Sequence, residues 1–576
     1  MRGANKQQAI RQEIWRRSPA VLIAGLAAAL TVCGCGNQYR PVVSAISPVG
    51  PAGQPTKYAV ALSNTSTYPS TTLPGLLTFV DFAGDTVLST PSVLPFPPPT
   101  TAGSATVAPS PTFINPNTFS INSSGTEGFV VNSVGTYEDF GLTYPQGLLT
   151  QNITQTTLAA GAAPTGVQAI ALPSTGTTIF VPEPGNQAIS ELSANGPSLL
   201  QNLSIPNPVY VVGADEALRV YALSTGAGST NGKVYPIENS PVSLSPPITV
   251  GVNPVYGIMT PDDNRAYILN SGTSALNTGS VSVINVPGNA LDLAAPTIPT
   301  LAITGYSITN NVVTFQTSIP PNSLAAGETV TLSGFGTSAF FNNQVVTVSA
   351  AGLSTTQFEA PFTHISVVTT TESGAAIVPL SHPVWTDLVT VYSEFVVLNQ
   401  GDGVHPGTLS IISIPLCNAN TPVTNPNCDV SNPVDAVGFG TLVATATVGV
   451  NPTMVSVLND GSRAYVANSG ILPGVNSSYP NGIEGSVSVV NLASGVVTAT
   501  IPATSLPANT VNVNTTPGEI YGHPNTIAAT TGTPTGKVYV TSSDNKYMTV
   551  IETDTDTVDT HISLQGLGIR VYVTQK

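Results

Sequence analysis

The sequence predicts an all-β chain built by repetition of one four-stranded unit, and three observations predict it. Only 8% of the 576 residues are charged and 6% aromatic, and Val, Ile, Thr and Ser abound where Lys and Glu are scarce, which disfavours helices with their charged outer faces. Short runs of alternating apolar residues are punctuated by Gly, Pro and Asn turns, the pattern of half-buried strands. The chain also aligns with itself. PTMVSVLNDGSRAYVANSG (452–470) matches PVYGIMTPDDNRAYILNSG (254–272), and each continues into a second matching pair, GSVSVVNL (485–492) and GSVSVINV (279–286). VVTATIP (496–502) and TIPTLAI (297–303) supply a fourth strand.

The unit recurs in weaker form, opening after a Pro at 116, 164, 208, 254, 383, 452 and 524. The first intervals, 48, 44 and 46 residues, are the spacing of propeller blades. Second strands follow as GFVVNS, TIFVPEPG, RVYALSTG, FVVLNQG and KVYVTSSD. The two ends complete the set. KYAVALSN, GLLTFVDF and DTVLSTPSVL, within 57–94, read as second, third and fourth strands without a first, and IRVYVTQK (569–576) reads as a first strand without the rest. Pairing them closes the ring and removes its open edges. Eight blades are counted; seven is the count if the irregular N-terminal region is read otherwise. Residues 306–380 lack the blade pattern and are read as a small β-sandwich-like insert. The organisation is therefore 1–35 leader, 36–55 Pro-rich tether, 56–305 blades 1–5, 306–380 insert, and 381–576 blades 6–8 with the closing strand.

The N-terminus has a basic stretch, then AVLIAGLAAALTV (20–32), about 13 apolar residues where a span needs about 20, so it reads as a signal peptide. Val32-Cys33-Gly34-Cys35 resembles the bacterial lipobox, with the small Gly34 before Cys35 as the lipidated residue; the resemblance implies a lipoprotein, and Gly36 after it implies outer-membrane sorting, to the periplasmic face or the cell surface. The competing reading is an ordinary cleaved signal or an uncleaved anchor. Cys417 and Cys428, in a Pro/Asn-rich stretch, are expected to form a disulfide outside the cytoplasm; with no His nearby, zinc is not expected. Without the leader the chain keeps 10 basic against 29 acidic residues, a net of -19, and its basic residues are scattered, which argues against nucleic acid as a partner.

Ala464-Tyr465-Val466-Ala467-Asn468-Ser469 followed by SVSVVNLASGVVTATIP resembles the YVTN-type β-propeller repeat, and KVYVTSSDNKYMTVIETDTDTVDTHI (537–562) matches nearly as well. Tyr gives way to Phe129, Phe180 and Val396 elsewhere. The resemblance implies a secreted or lipid-anchored bacterial propeller without an established catalytic motif. WD40 repeats do not fit, because Trp385 is the sole Trp after the leader.

No nucleophile elbow, zincin helix, Walker loop or dinucleotide fingerprint appears, and no cofactor is expected. His382 and His523 occupy matching positions before first strands, and His405 sits on a Gly-rich loop. Converging with an Asp, the three would make a transition-metal site; the preferred reading is that His replaces the Asn before Pro in sister repeats and caps a turn. Asp554, Asp556 and Asp559 lack the Gly and distal Glu of an EF-hand and read as a turn between third and fourth strands. Tyr221, Tyr267, Tyr465 and Tyr539 read as packing between blades. The function expected is a monomeric, non-catalytic scaffold, membrane-tethered through an N-terminal lipid, that binds a protein or carbohydrate through loops such as 470–485. One alternative is a propeller enzyme, lactonase-like or quinone-dependent, with His382 and His523 gathered at the axis. The other is a structural or adhesive envelope protein.

Overall fold

The computed structural model describes residues 57–64, 76–82, 84–87, 93–95, 116–132, 136–142, 154–173, 176–194, 198–228, 230–239, 242–293, 295–317, 324, 326–389, 393–415, 438–504, 518–530, 536–564 and 566–574. Cys33, Cys35, Cys417, Cys428 and the tether lie outside the described residues. Among the described residues, the compact unit comprising Pro55–Lys576 contains eight blades of antiparallel strands, with one short parallel pair at Ala503–Thr504, and one further sheet.

Blade 1 is made from both ends of the chain. Leu567–Val573 forms its inner strand and pairs with Tyr58–Asn64, in register Ala59 to Val573 and Leu62 to Arg570. Leu76–Asp81 is third, and the expected fourth strand is two short pieces, Thr86–Val87 and Val93–Pro95, both on the third strand. Blades 2 to 8 begin with inner strands Pro116–Ile121, Gln168–Leu172, Pro208–Val212, Pro254–Met259, Pro383–Leu388, Pro452–Val457 and Pro524–Ala529. Blade 3 thus opens four residues after Pro164 rather than at it. Eight apolar clusters, one between each pair of successive blades, complete the circuit: Phe129 of blade 2 meets Ile179 of blade 3, and Ala59 of blade 1 meets Tyr539 of blade 8. Among the described residues the ring is closed and has eight blades.

Repetition in the sequence has three local causes. The residue before the opening Pro adopts a left-handed backbone at Ala163, Asn207, Asn253, His382 and Asn451, with φ between 43° and 54°, a conformation that Asn tolerates better than most residues. The Gly that starts the third strand faces the Pro of the next blade: Gly232 against Pro254, Gly279 against Pro383, Gly407 against Pro452, Gly485 against Pro524. A Cβ on Gly485 would lie 2.5 Å from Pro524 Cδ and 2.7 Å from the Asn468 carbonyl. Gly485→Ala is therefore expected to cost about 1–3 kcal/mol through overpacking, read as a lowered urea midpoint with unchanged slope; an unaltered midpoint refutes the contact.

The third cause is a clamp between blades. In blade 4 Arg219 donates to the Val286 carbonyl (2.8 Å) and Tyr221 OH to Asn289 (3.4 Å), both on the third-to-fourth-strand turn of blade 5. Arg463 and Tyr465 hold Thr553 and Asp556 in blade 8 in the same way, and Lys537 and Tyr539 hold Phe82 and Asp85 in blade 1. The accepting turn residue has positive φ each time, at Asn289, Asp556 and Asp85. The repeated Tyr therefore packs between blades, as expected, and at Tyr221, Tyr465 and Tyr539 it also hydrogen-bonds across the seam. Of the TDTDTVDT segment, residues 553–556, with Asp554 and Asp556, form the expected turn between Tyr547–Glu552 and Thr557–Ser563, whereas Asp559 lies within the fourth strand and not in the turn.

The insert is one continuous six-stranded sheet curled round its own core, which includes Tyr306, Phe315, Phe335, Phe341 and Phe358. The Ser349 amide donates to the Glu359 carbonyl (2.7 Å), tying the sheet's two ends. Its first strand runs Thr300–Thr309 and includes a register shift at Gly305. The expected border at 305/306 is therefore a bulge inside one strand, and the insert begins earlier. Only Thr297–Ile298 of TIPTLAI serves blade 5 as a fourth strand; the rest of that segment already belongs to the insert.

Candidate functional site

Seven of the eight inner strands share a register shift near their start. Pro has no amide hydrogen to give the ladder, and the pairing register shifts between the opening Pro and the residue two further on in blades 2, 4, 5, 6, 7 and 8. Blade 1 shifts at the same place, opposite Leu62 and Ser63. Bulges of this kind re-aim side chains. The residues that follow the shift are Thr118, Tyr210, Tyr256, Trp385, Met454, Thr526 and Arg570; of these, Met454 packs in the core between blades 7 and 8, and Thr526 bonds Thr541 and the Val571 amide.

Four of these seven assemble with Tyr572 into a cluster on the axis. Tyr210 lies 4.6 Å from Tyr256 by ring centroids, and Tyr256 stacks on Trp385 at 4.0 Å. The Arg570 guanidinium sits 4.6 Å from the Trp385 ring and 5.0 Å from that of Tyr572. Blades 6 and 1 are separated by blades 7 and 8, so Trp385 and Arg570 meet only across the central channel. Phe119 of blade 2 closes the far side, edge-on to Tyr572 at 5.0 Å.

Electrostatically the cluster is a cation in an aromatic cage. Arg570 Nη2 donates to Tyr572 OH (3.0 Å), its Nε is buried without a partner, and among the described residues no carboxylate pairs with it. Burial raises the pKa of both Tyr210 and Tyr256 above the ordinary phenol value. Tyr210, Tyr256, Trp385, Arg570 and Tyr572 are all half-buried. The arrangement offers guanidinium and phenol donors to an anionic group and flat apolar faces to whatever carries it.

The histidines do not join this cluster. His382 spends both ring nitrogens on carbonyls, Nδ1 on Gly401 (2.7 Å) and Nε2 on Thr273 in the blade 5 loop (2.8 Å). His523 Nδ1 bonds Asp544 (2.7 Å), and the ring is turned to the Ile471 and Ile483 carbonyls of the blade 7 loop. Each thus ties down the long loop of the preceding blade. His405 is on the surface with Asp402 at 2.6 Å, and its backbone and ring donors bring that carboxyl down to about 2. The expected turn-capping role fits these contacts, and the metal constellation of His382, His405 and His523 does not form. Among the described residues the grouping of three potential metal-ligating side chains is Asp85, Glu552 and Asp559, and there Lys537 ion-pairs Asp85 as part of the clamp.

His523 and Asp544 make a pH-dependent contribution. The hydrogen bond to Asp544 raises the His523 pKa, burial opposing it; burial would raise the Asp544 carboxyl, but the bonds from His523 bring it below its ordinary value. The histidine contribution is present below the unfolded pKa of about 6.5 and lost as pH rises through the folded value; that of Asp544 is present above about 3.9 and lost as pH falls through its folded value. His523→Asn is therefore expected to cost most between about pH 4 and 6.5, on the order of 1–2 kcal/mol, and less at pH 9. Urea titrations at pH 5 and 9 check this, and equal costs at both refute it.

The axial cluster is not among the sites expected from the sequence, which places Arg570 only in a closing strand. Superposing the inner strands on the residue two after Pro is the signal that finds it, since in blades 2, 4, 5, 6, 7 and 8 that column reads Thr, Tyr, Tyr, Trp, Met and Thr, three consecutive aromatics among small or apolar residues, with Arg from blade 1.

No family model matches the chain, and no curated protein matches it. Among solved structures it is similar to Kuenenia stuttgartiensis hydrazine synthase (12% identity, 75% of this chain and 93% of that one, TM-score 0.40). It is also similar to the dihydro-heme d1 dehydrogenase NirN in complex with DHE (10%, 88% and 73%, 0.45) and to Citrobacter koseri AztD (10%, 90% and 97%, 0.36). These likenesses concern fold alone.

Proposed function

We propose that this propeller is a lipid-anchored binding scaffold of the bacterial envelope that acts by recognition rather than turnover, and that its axial site receives a carboxylate-bearing group of its ligand. The observation that carries the binding reading is Arg570, a guanidinium on the axis with no carboxylate partner among the described residues, a buried unpartnered Nε and aromatic faces on both sides. A half-buried guanidinium whose Nε is out of water gains from a hydrogen-bonding counter-charge, and a carboxylate suits its planar fork. A rigid ring of eight sheets holds the cage, which favours binding without reorganisation. The address rests on the leader, the lipobox-like Val32-Cys33-Gly34-Cys35 and the YVTN-type resemblance. The histidine site that an axial hydrolase or dehydrogenase reading required is not assembled.

Trp385 reports on the site directly. In a Trp15→Phe chain it is the sole indole, and titration with glucuronate, glutarate and citrate is expected to change its emission for at least one of them. Glucose and glutaramide, lacking the charge, are expected to leave it unchanged. Arg570→Gln is expected to weaken the response about tenfold or more, as loss of a charge-assisted contact should. Equal responses to charged and uncharged ligands, or an undiminished response in Arg570→Gln, defeat the axial reading.

A further inference from the structure

We propose that the cavity between the insert and blade 6 is a second binding site, for a small neutral polyol such as a mono- or disaccharide; it shares no residue with the axial cluster and does not rest on it. The inference comes from comparing one repeated position. In blades 5 and 7 the second strand ends in a buried Asn whose Nδ2 donates to two hydroxyls of the third strand. Asn270 reaches Ser280 (3.2 Å) and Ser282 (3.0 Å), and Asn468 reaches Ser486 (3.1 Å) and Ser488 (2.9 Å). Each carboxamide is roofed by the Gly three residues before the opening Pro. Cβ atoms on Gly251 and Gly449 would lie 2.6 Å from Cγ of Asn270 and Asn468 respectively. Where the strand ends in the shorter Ser224 or Ser542, that roofing position holds Ile205 or Tyr521 instead.

Blade 6 breaks this rule. Asn399 makes the same bonds, to Thr408 (3.1 Å) and Ser410 (3.0 Å), yet the residue three before Pro383 is Leu380. The chain that delivers Leu380 comes from the insert and not from a blade 5 fourth strand, which ends at Ile298. Leu380 turns to pair with Gly279 (2.9 Å) and packs into the core between blades 5 and 6. With the glycine roof gone, a cavity of about 420 Å³ opens over Asn399, Thr408 and Ser410, walled by Glu328 of the insert and by Val378 and Leu442. Its size lies in the ordinary range for small-ligand pockets, roughly 300–1,000 Å³.

The lining chemistry selects the ligand class. Asn399 Oδ1 is buried without a partner, as are Asn270 Oδ1 and Asn468 Oδ1 beneath their glycine roofs; of the three, Asn399 is the one that lines this cavity, where a ligand donor can reach it. Thr408 and Ser410 accept from Asn399 and keep their own hydroxyl hydrogens to give. Glu328 adds a carboxylate, no Lys, Arg or aromatic ring lines the space, and the apolar walls suit the C–H face of a polyol. Closely spaced acceptors and donors without a cation fit a polyhydroxylated neutral molecule and disfavour an anion.

Saturation-transfer difference NMR on the full chain with glucose, N-acetylglucosamine, maltose and trehalose tests the site. Transfer to at least one sugar is expected. Asn399→Ser, the residue that blades 4 and 8 carry, is expected to weaken binding about tenfold, while Asn468→Ser, the same change under an intact roof, leaves it unchanged. Ala326→Trp, on the exposed insert rim, fills the space and is expected to abolish binding irrespective of how Asn399→Ser folds. No transfer to any of the four sugars means a merely water-filled void and overturns the proposal. So does equal weakening by Asn399→Ser and Asn468→Ser, or full binding by Ala326→Trp.

Discussion

Ending the chain at Gly566 is expected to abolish cooperative folding of the ring, a loss of at least about 5 kcal/mol, beyond what ordinary point substitutions produce. The missing strand, Leu567–Val573, is the inner strand of blade 1, and its removal unpairs Tyr58–Asn64 along the register Ala59 to Asn64. Two inter-blade cores lose a wall at once. Val571 packs with Ala59, Tyr539 and Met548 on one side, and Ile569 and Tyr572 lie against Val60 and Phe119 on the other. Blade 8 loses its neighbour too, since the Val571 amide donates to Thr526 (3.1 Å) and Asn525 donates to the Gly568 carbonyl (2.8 Å). The freed edge of Tyr58–Asn64 is a buried apolar strand suddenly exposed, and such edges aggregate. Size-exclusion chromatography and thermal melting check the outcome: an unaltered melting temperature in a monomeric truncated chain defeats the idea that the ends lock the ring. Val571→Asp, which keeps the length but buries a charge opposite Ala61, is expected to cost about 3–5 kcal/mol by the same measurement.

The closure was legible because repetition leaves a remainder. Seven units start at a Pro, and what is left at each end, three strands at one and a single strand at the other, has no stable partner except its counterpart. Blade count followed from the same arithmetic. What repetition did not reveal was the meaning of individual recurring letters within a unit. The Gly of GSVSV has the look of turn composition, whereas it is a flat seat for the next blade's Pro524 or Pro383. The Arg or Lys two before each Tyr has the look of scattered charge, whereas Arg219, Arg463 and Lys537 each reach a carbonyl in the following blade. Both are contacts between units, and an alignment of units with one another shows that a letter recurs without showing what it touches.

The site was less legible for a related reason. Arg570, Trp385, Tyr256 and Tyr210 are dispersed over 360 residues of sequence and share no local motif. Each follows a register shift near the start of its inner strand, after the opening Pro in blades 4, 5 and 6 and after Gly568 in blade 1, and the ring brings them together at the axis. The histidines misdirect attention by being rare: His382 and His523 do occupy matching positions, but that position faces the preceding blade's loop and not the axis. The insert's border was misplaced because Gly305, a bulge inside one long strand, carries the same letter that a junction would.

Removing either member of the Arg265–Asp292 pair is expected to destabilise the protein by about 3–5 kcal/mol, while removing both together costs much less. Both side chains are fully buried, with Nη2 and Oδ2 2.9 Å apart. In the sister blades this basic residue reaches across the seam to a turn of the next blade, but Arg265 folds back onto its own blade's turn, donating through Nη1 to the Asn264 carbonyl (2.7 Å). Its Nε has no partner, and neither has the Tyr267 hydroxyl beside it. Burial lowers the Arg265 pKa, and Asp292 first, then Tyr267 and Asp262, pull it back up, so Asp292 is its nearest counter-charge. Asp292→Asn leaves a guanidinium in the interior without its counter-charge, and Arg265→Met leaves the carboxylate likewise. In the double variant neither charge remains, and the unbranched thioether side chain that replaces the arginine still fills the volume between Tyr267 and the turn. Urea denaturation of the four chains gives the coupling directly. Costs that simply add in the double variant would mean that each side chain is stabilised by packing alone, and that the pair carries no mutual charge compensation.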